Sequence, residues 1–118
     1  MQGSLKITTH DIEGLQRFYQ EVLSARLIDK GDEFASLQVE QSFIELYSGV
    51  SDPIIAAIDY RSVTSIMDVT SNHSQYIKKP FSVYEQKNGL QRFETAIQDP
   101  EGNLVYLVCC QVVEINVD

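Results

Sequence analysis

The sequence has no tryptophan, only two cysteines, and about half as many basic as acidic side chains. Without an indole there is no wide aromatic plate to stack on an extended planar ligand. The cysteines are the neighbours Cys109 and Cys110 in a strongly β-forming stretch, so their side chains point to opposite faces and do not bond to each other. They also lack the spacing of a zinc or redox site, and read as two buried small apolar residues of a protein in a reducing compartment. Nine basic against seventeen acidic residues give a net charge of −8, which opposes nucleic acid as a partner. The same charge attracts cationic ligands at long range, although acidity also serves solubility alone. No segment approaches the roughly eighteen apolar residues that span a bilayer, and Met1 to Lys6 has no apolar run behind a basic cluster. The expectation is a soluble, unprocessed, cytoplasmic protein without a membrane partner.

What is present fits one domain. A chain of 118 residues with 43% hydrophobic side chains fills one contiguous core. From Ser4 to Thr9, Leu5, Ile7 and Thr9 alternate with Ser4, Lys6 and Thr8, the period of a strand with one apolar face. Asp11 then caps a helix in which Ile12, Leu15, Phe18, Tyr19, Val22 and Leu23 recur at helical spacing. Ala25 to Lys30, Glu33 to Glu40 and Ser42 to Ser48 read as three strands. Residues 1–49 thus form a βαβββ module. Residues 50–61 read as a connector carrying a short extended piece at Ile54 to Ile58. A second module over 62–118 begins with a strand at Ser62 to Val69, continues with a short helix from Asn72 to Lys79 stopped by Pro80, and ends in strands at Phe81 to Gln86, Leu90 to Gln98 and Leu104 to about Ile115. The order repeats without residue identity, as an old duplication does.

Asp99, Pro100, Glu101, Gly102 and Asn103 form a tight corner between the last two strands, because proline presets φ and glycine accepts positive φ. This pentapeptide, together with Asp11-Ile12-Glu13, Phe18-Tyr19 and Val22-Leu23 in the first helix, resembles the signature of the vicinal oxygen chelate superfamily, the glyoxalase and bleomycin-resistance proteins. The resemblance covers most of the chain and departs at Ser24, where a glycine is usual, at the short second helix, and at residues 49–61. It implies an α+β fold in which two βαβββ modules form a curved mixed sheet.

The resemblance also implies where a metal would sit: a histidine opening the first strand of each module and a glutamate in the last strand of each. Counted from Asp11 and from the Asp99 turn, those positions hold Ser4, Glu45, Tyr106 and, at or near the fourth, Thr64. One carboxylate, two hydroxyls and a phenol do not make a transition-metal cage, so no metal and no cofactor is expected. His10 and His73 stand at strand-to-helix junctions, where solvated or capping roles are commoner. With the helices on the convex face, as the resemblance implies, alternation turns Ser4, Lys6 and Thr8, Phe43, Glu45 and Tyr47, and Leu104, Tyr106 and Val108 inward. That pocket has apolar walls and a few polar anchors, as small-molecule sites do. Lys6 and Glu45 are able to face each other across it, as ligand anchors or as a structural ion pair, and Arg92 and Glu94 form a second charged pair on a strand surface. Tyr106 is a hydrogen-bond donor, but a phenol with its ordinary pKa near 10 is a weak general acid, and no catalytic residue is identified.

Three functions follow. The first is a metal-free protein that binds a cationic or amphiphilic small molecule in pockets formed by a homodimer, as the resemblance to the bleomycin-resistance branch implies. The second is a lyase, isomerase or dioxygenase of the same superfamily with a non-standard site. The third is a protein-interaction module whose pocket is vestigial.

Overall fold

In a computed structural model the described residues run from 4 to 112. Eight strands and two helices follow in the order β1 (Ser4–Thr9), α1 (Ile12–Val22), β2 (Arg26–Lys30), β3 (Phe34–Val39), β4 (Ser42–Ser48), β5 (Ile55–Asp59), α2 (Val63–Asn72), β6 (Ile77–Glu85), β7 (Leu90–Gln98) and β8 (Leu104–Val112). They form two four-stranded mixed sheets, ordered β1-β4-β3-β2 and β5-β8-β7-β6. In each, the first strand runs parallel to the last and the remaining pairs are antiparallel. This is the βαβββ order twice over.

The first module follows its sequence period closely. Leu5 and Ile7 of β1, Ala35 and Leu37 of β3, and Ile44 and Leu46 of β4 are buried. Leu15, Phe18, Tyr19 and Val22 of α1 share their core cluster. Asp11 caps α1 by accepting a hydrogen bond from the Gly14 N–H at 3.0 Å. Ser24, where the resemblance leads one to expect glycine, takes the left-handed conformation that glycine would take, with φ 54°.

The second module corrects the sequence reading in register. The strand expected at Ser62 to Val69 is helix α2, and the module's first strand is β5, inside the expected connector. Ser62 is the helix cap, its hydroxyl accepting from the Thr64 N–H at 3.2 Å. Val63, Thr64, Ile66, Val69 and Thr70 are β-branched and favour strands. Ile66 and Val69, three apart, nevertheless bury on one helical face against the sheet, and tertiary packing overrides propensity. The helix expected at Asn72 to Lys79 is in fact the end of α2, a single 3-10 turn at Ser74–Tyr76, and the start of β6. Pro80 therefore stops no helix. It lies in the edge strand β6, inside the second of two register shifts, at Ile77/Lys79 and Lys79/Ser82, where a missing N–H disturbs no ladder. The expected end of the last strand near Ile115 falls outside the described residues.

The corner between β7 and β8 joins the two modules. Asp99 is 4% exposed. Its Oδ1 accepts from the backbone N–H of Glu101 at 2.9 Å and of Asn103 at 3.0 Å, and its Oδ2 from the Asn103 amide at 2.8 Å and the Tyr19 hydroxyl at 2.6 Å. Gly102, at φ 87°, takes a conformation other residues rarely adopt, as the corner requires. Thr9, at the end of β1, donates to Glu101 of the same corner. Asn103 Oδ1 accepts from the Ile54 N–H at 2.9 Å, which ties the corner to the start of β5.

Candidate functional site

Strand alternation gives each sheet two faces: one packs on the helices, the other is free of them. Nine of the ten residues that the sequence singled out stand on strands and on the helix-free face. On the first sheet these are Ser4, Lys6 and Thr8 of β1 and Phe43, Glu45 and Tyr47 of β4, with Ser4 beside Phe43, Lys6 beside Glu45 and Thr8 beside Tyr47. On the second they are Leu104, Tyr106 and Val108 of β8. Val108 is only 3% exposed and offers a ligand little surface. Thr64 joins neither group, because it lies in the first turn of α2.

Glu45 is the polar centre of the first sheet. Its Oε2 accepts from the Ser4 hydroxyl at 2.8 Å and its Oε1 from the Tyr47 hydroxyl at 3.4 Å. The ion pair that Lys6 and Glu45 were placed to form is not made. Among the described residues the ion pairs are His10 with Glu101, Lys30 with Glu13 and Arg92 with Glu94, and the Lys6 ammonium stays in solvent. The carboxylate is held by two hydroxyls, which orient it without neutralising its charge.

On the second sheet Tyr106 stands between Ala57 of β5 and Ala96 of β7, so small neighbours leave its ring free. It lines a cleft of about 360 Å³ together with Lys79, Ser82, Tyr84 and Glu94. The Glu94 carboxylate lies 3.3 Å from Nε of Arg92. Lys79, Ser82 and Tyr84 were missed in the sequence. Lys79 falls in the segment before Pro80 that reads as helix, between two bulges of β6, whereas Ser82 and Tyr84 lie in regular register opposite Glu94 and Arg92 within the expected strand Phe81 to Gln86 and were not singled out. No residue of β1 or β4 lines this cleft.

The strand registers also fix the fourth metal-ligand position. Ile55 is to Leu104 in the second sheet what Ser4 is to Phe43 in the first, and it precedes the Ser62 cap as Ser4 precedes the Asp11 cap. The position belongs to Ile55, not Thr64, and that side chain is 75% exposed. The four positions therefore carry a hydroxyl, a carboxylate, an alkyl chain and a phenol. This donor set does not fit a divalent transition metal, which needs imidazole, thiolate or several carboxylates. Among the described residues no three His, Cys, Asp or Glu side chains are grouped to hold one. His10 sits 3.5 Å from Glu101, and His73 closes α2 with its N–H on the Val69 carbonyl.

Of the two cysteines, both expected to be buried, only Cys109 is; Cys110 is exposed, because alternation turns it to the opposite face of β8. Burial raises the Cys109 thiol above its ordinary pKa, partly offset by a hydrogen bond with Gln111, which disfavours the reactive thiolate.

The chain matches no protein-family model and no curated protein. Its fold is shared with many solved structures. A glyoxalase/bleomycin resistance protein/dioxygenase from Alicyclobacillus acidocaldarius superposes with a TM-score of 0.69 at 15% identity, over 90% of this chain and 88% of that one. A virulence protein from Salmonella typhimurium gives 0.67 at 25% identity, over 91% and 94%. A lactoylglutathione lyase from Agrobacterium tumefaciens gives 0.64 at 12% identity, over 91% of each chain. Likeness at this level of identity establishes the fold.

Proposed function

We propose that this chain, which has the fold of the vicinal oxygen chelate superfamily, is a metal-free cytoplasmic protein that binds a small cationic or amphiphilic molecule on its helix-free face, as a homodimer. The observation that carries this reading is the replacement at the four ligand positions. Ser4, Glu45, Ile55 and Tyr106 supply no imidazole, yet the face around them keeps what a binding site needs. Phe43, Tyr47 and Tyr106 offer apolar and aromatic surface, and Glu45 offers one oriented negative charge. The net charge of −8 draws cations toward it.

The test combines elemental analysis with one substitution. Purified protein is expected to hold no stoichiometric nickel, zinc, manganese or iron. Glu45→Gln keeps the shape and both hydroxyl neighbours while removing the charge. It is expected to weaken a cationic ligand, found by thermal shift in a metabolite panel, by about tenfold while leaving neutral amphiphiles nearly unchanged. One equivalent of transition metal per chain would overturn the proposal in favour of a superfamily enzyme with a non-standard site. A panel in which nothing stabilises the fold would leave a protein-interaction module with a vestigial pocket as the better account.

A further inference from the structure

Cross-strand rows order the helix-free face of the second sheet. Lys79 of β6 lies opposite Ala96 of β7, which lies opposite Tyr106 of β8, while Glu94 of β7 lies opposite Ser82 and Arg92 opposite Tyr84. Residues directly opposite one another share a face, so Lys79, Glu94, Tyr84 and Tyr106 all stand on the side away from the helices. The rows of Lys79 and Glu94 are two residues of β7 apart, about 7 Å along the strand. Lys79 owes its place to the register shifts on either side of it, and its carbonyl is held by the Thr95 hydroxyl, which donates to it at 2.7 Å from a side chain 1% exposed.

Two charges of opposite sign thus border the cleft of about 360 Å³, and neither is spent on the other. Among the described residues Lys79 makes no ion pair. Glu94, with its side chain 18% exposed, offers only Oε2 to Arg92, at 3.3 Å. Its Oε1 accepts no hydrogen bond from the described residues, and it is not one of the atoms shut away from solvent without a partner, which among those residues are Gln16 Oε1 and the Tyr60 hydroxyl. The free oxygen of a largely buried carboxylate is therefore in reach of the cleft and has room for a donor. Tyr84 and Tyr106 line the same cleft, and the face of a phenol ring attracts an ammonium group. A lone cation would suit Glu94 and be repelled by Lys79, and a lone anion the reverse. A molecule that carries both charges meets both partners.

We propose that the Tyr106 cleft takes a small zwitterion, an amino carboxylate whose ammonium group donates to Glu94 Oε1 beside the two phenols and whose carboxylate pairs with Lys79. The space is that of a small-molecule site, which begins near about 300 Å³. The inference rests on the helix-free face being a ligand-binding face and shares Tyr106 with the function proposed above, but it uses none of the Glu45 group on the other sheet.

Calorimetric titration of the full chain with 4-aminobutanoate tests it, with butylamine and butanoate as the singly charged controls. The zwitterion is expected to bind saturably and each control at least about tenfold more weakly. Glu94→Gln is expected to lower zwitterion affinity about tenfold. Lys79→Met, at an exposed position where the fold tolerates change, is expected to lower it several-fold with the thermal midpoint unchanged, and Glu45→Gln to leave it as it was. Absence of saturable zwitterion binding overturns the inference, as does equal binding of either control or undiminished affinity in Lys79→Met. If 4-aminobutanoate fails to bind while a cation from the metabolite panel still depends on Glu45, the zwitterion cleft alone falls. If Glu45→Gln abolishes binding of 4-aminobutanoate as well, the zwitterion sits on the first sheet and the cleft is overturned as its seat.

Discussion

Asp99 draws four donors to one carboxylate, and one of them, the Tyr19 hydroxyl, comes from a helix 80 residues away in the sequence. Two of the fragments on which the family resemblance rests, Phe18-Tyr19 and Asp99 to Asn103, are thus two sides of a single contact. Burial and the Asp99 charge push the Tyr19 phenol well above its ordinary pKa, and burial with Glu40 does the same for Tyr60. Both stay protonated in the folded chain, while in the unfolded chain a tyrosine ionises near pH 10. Their contribution to stability is therefore intact below about pH 10 and is lost as pH rises above it. A denaturant series from pH 8 to 11 should show stability falling across that range. Tyr19→Phe should cost about 2 kcal/mol at neutral pH and make the alkaline fall shallower. An unchanged alkaline slope in the variant would count against Tyr19 as its source.

At the scale of elements, β1, α1, β4 and β7 were legible because hydrophobic period and bounding turns agree. β5 was legible only as an extended piece of the connector at Ile54 to Ile58 and not as the module's first strand, since Ile55 to Asp59 joins small alanines to an exposed isoleucine at a sheet edge, and only Ile58 is fully buried. α2 was hidden by β-branched residues whose preference is decided by what they pack on. From this follows a contrast between two substitutions. Ser62→Ala removes the cap of α2 and should cost about 1 kcal/mol in urea unfolding. Pro80→Ala, in an irregular edge strand, should change stability by less than about 0.5 kcal/mol. The reverse ranking would favour the helix that the sequence suggested before Pro80. The candidate site divides in the same way: the face of β1, β4 and β8 could be read from parity, whereas Lys79 could not, because bulges on either side of it in β6 break the period.

For the whole molecule, one core cluster runs from Leu5 through α1 to Leu107 and Cys109. The residues of the helix-free face remain divided between two sheets, Glu45 with its hydroxyl partners on one and the Tyr106 cleft on the other. In the proposed homodimer a second copy would supply the opposing wall. Light scattering should then give twice the 13.4 kDa chain mass at micromolar concentration, and ligand affinity should fall on dilution below the dimer midpoint. A monomer with undiminished affinity would remove the dimer from the proposal. The irregular β6 also bears on how the protein behaves in a crowded solution. Lys78, Lys79 and Pro80 lie along one sheet edge, and Arg26, Asp29 and Lys30 with a register shift along another, β2. Charge, proline and bulge are the devices that prevent a stray strand from docking on a sheet edge. These two edges are poor templates for fibril growth, which leaves β1 and β5 as the edges open to a further strand.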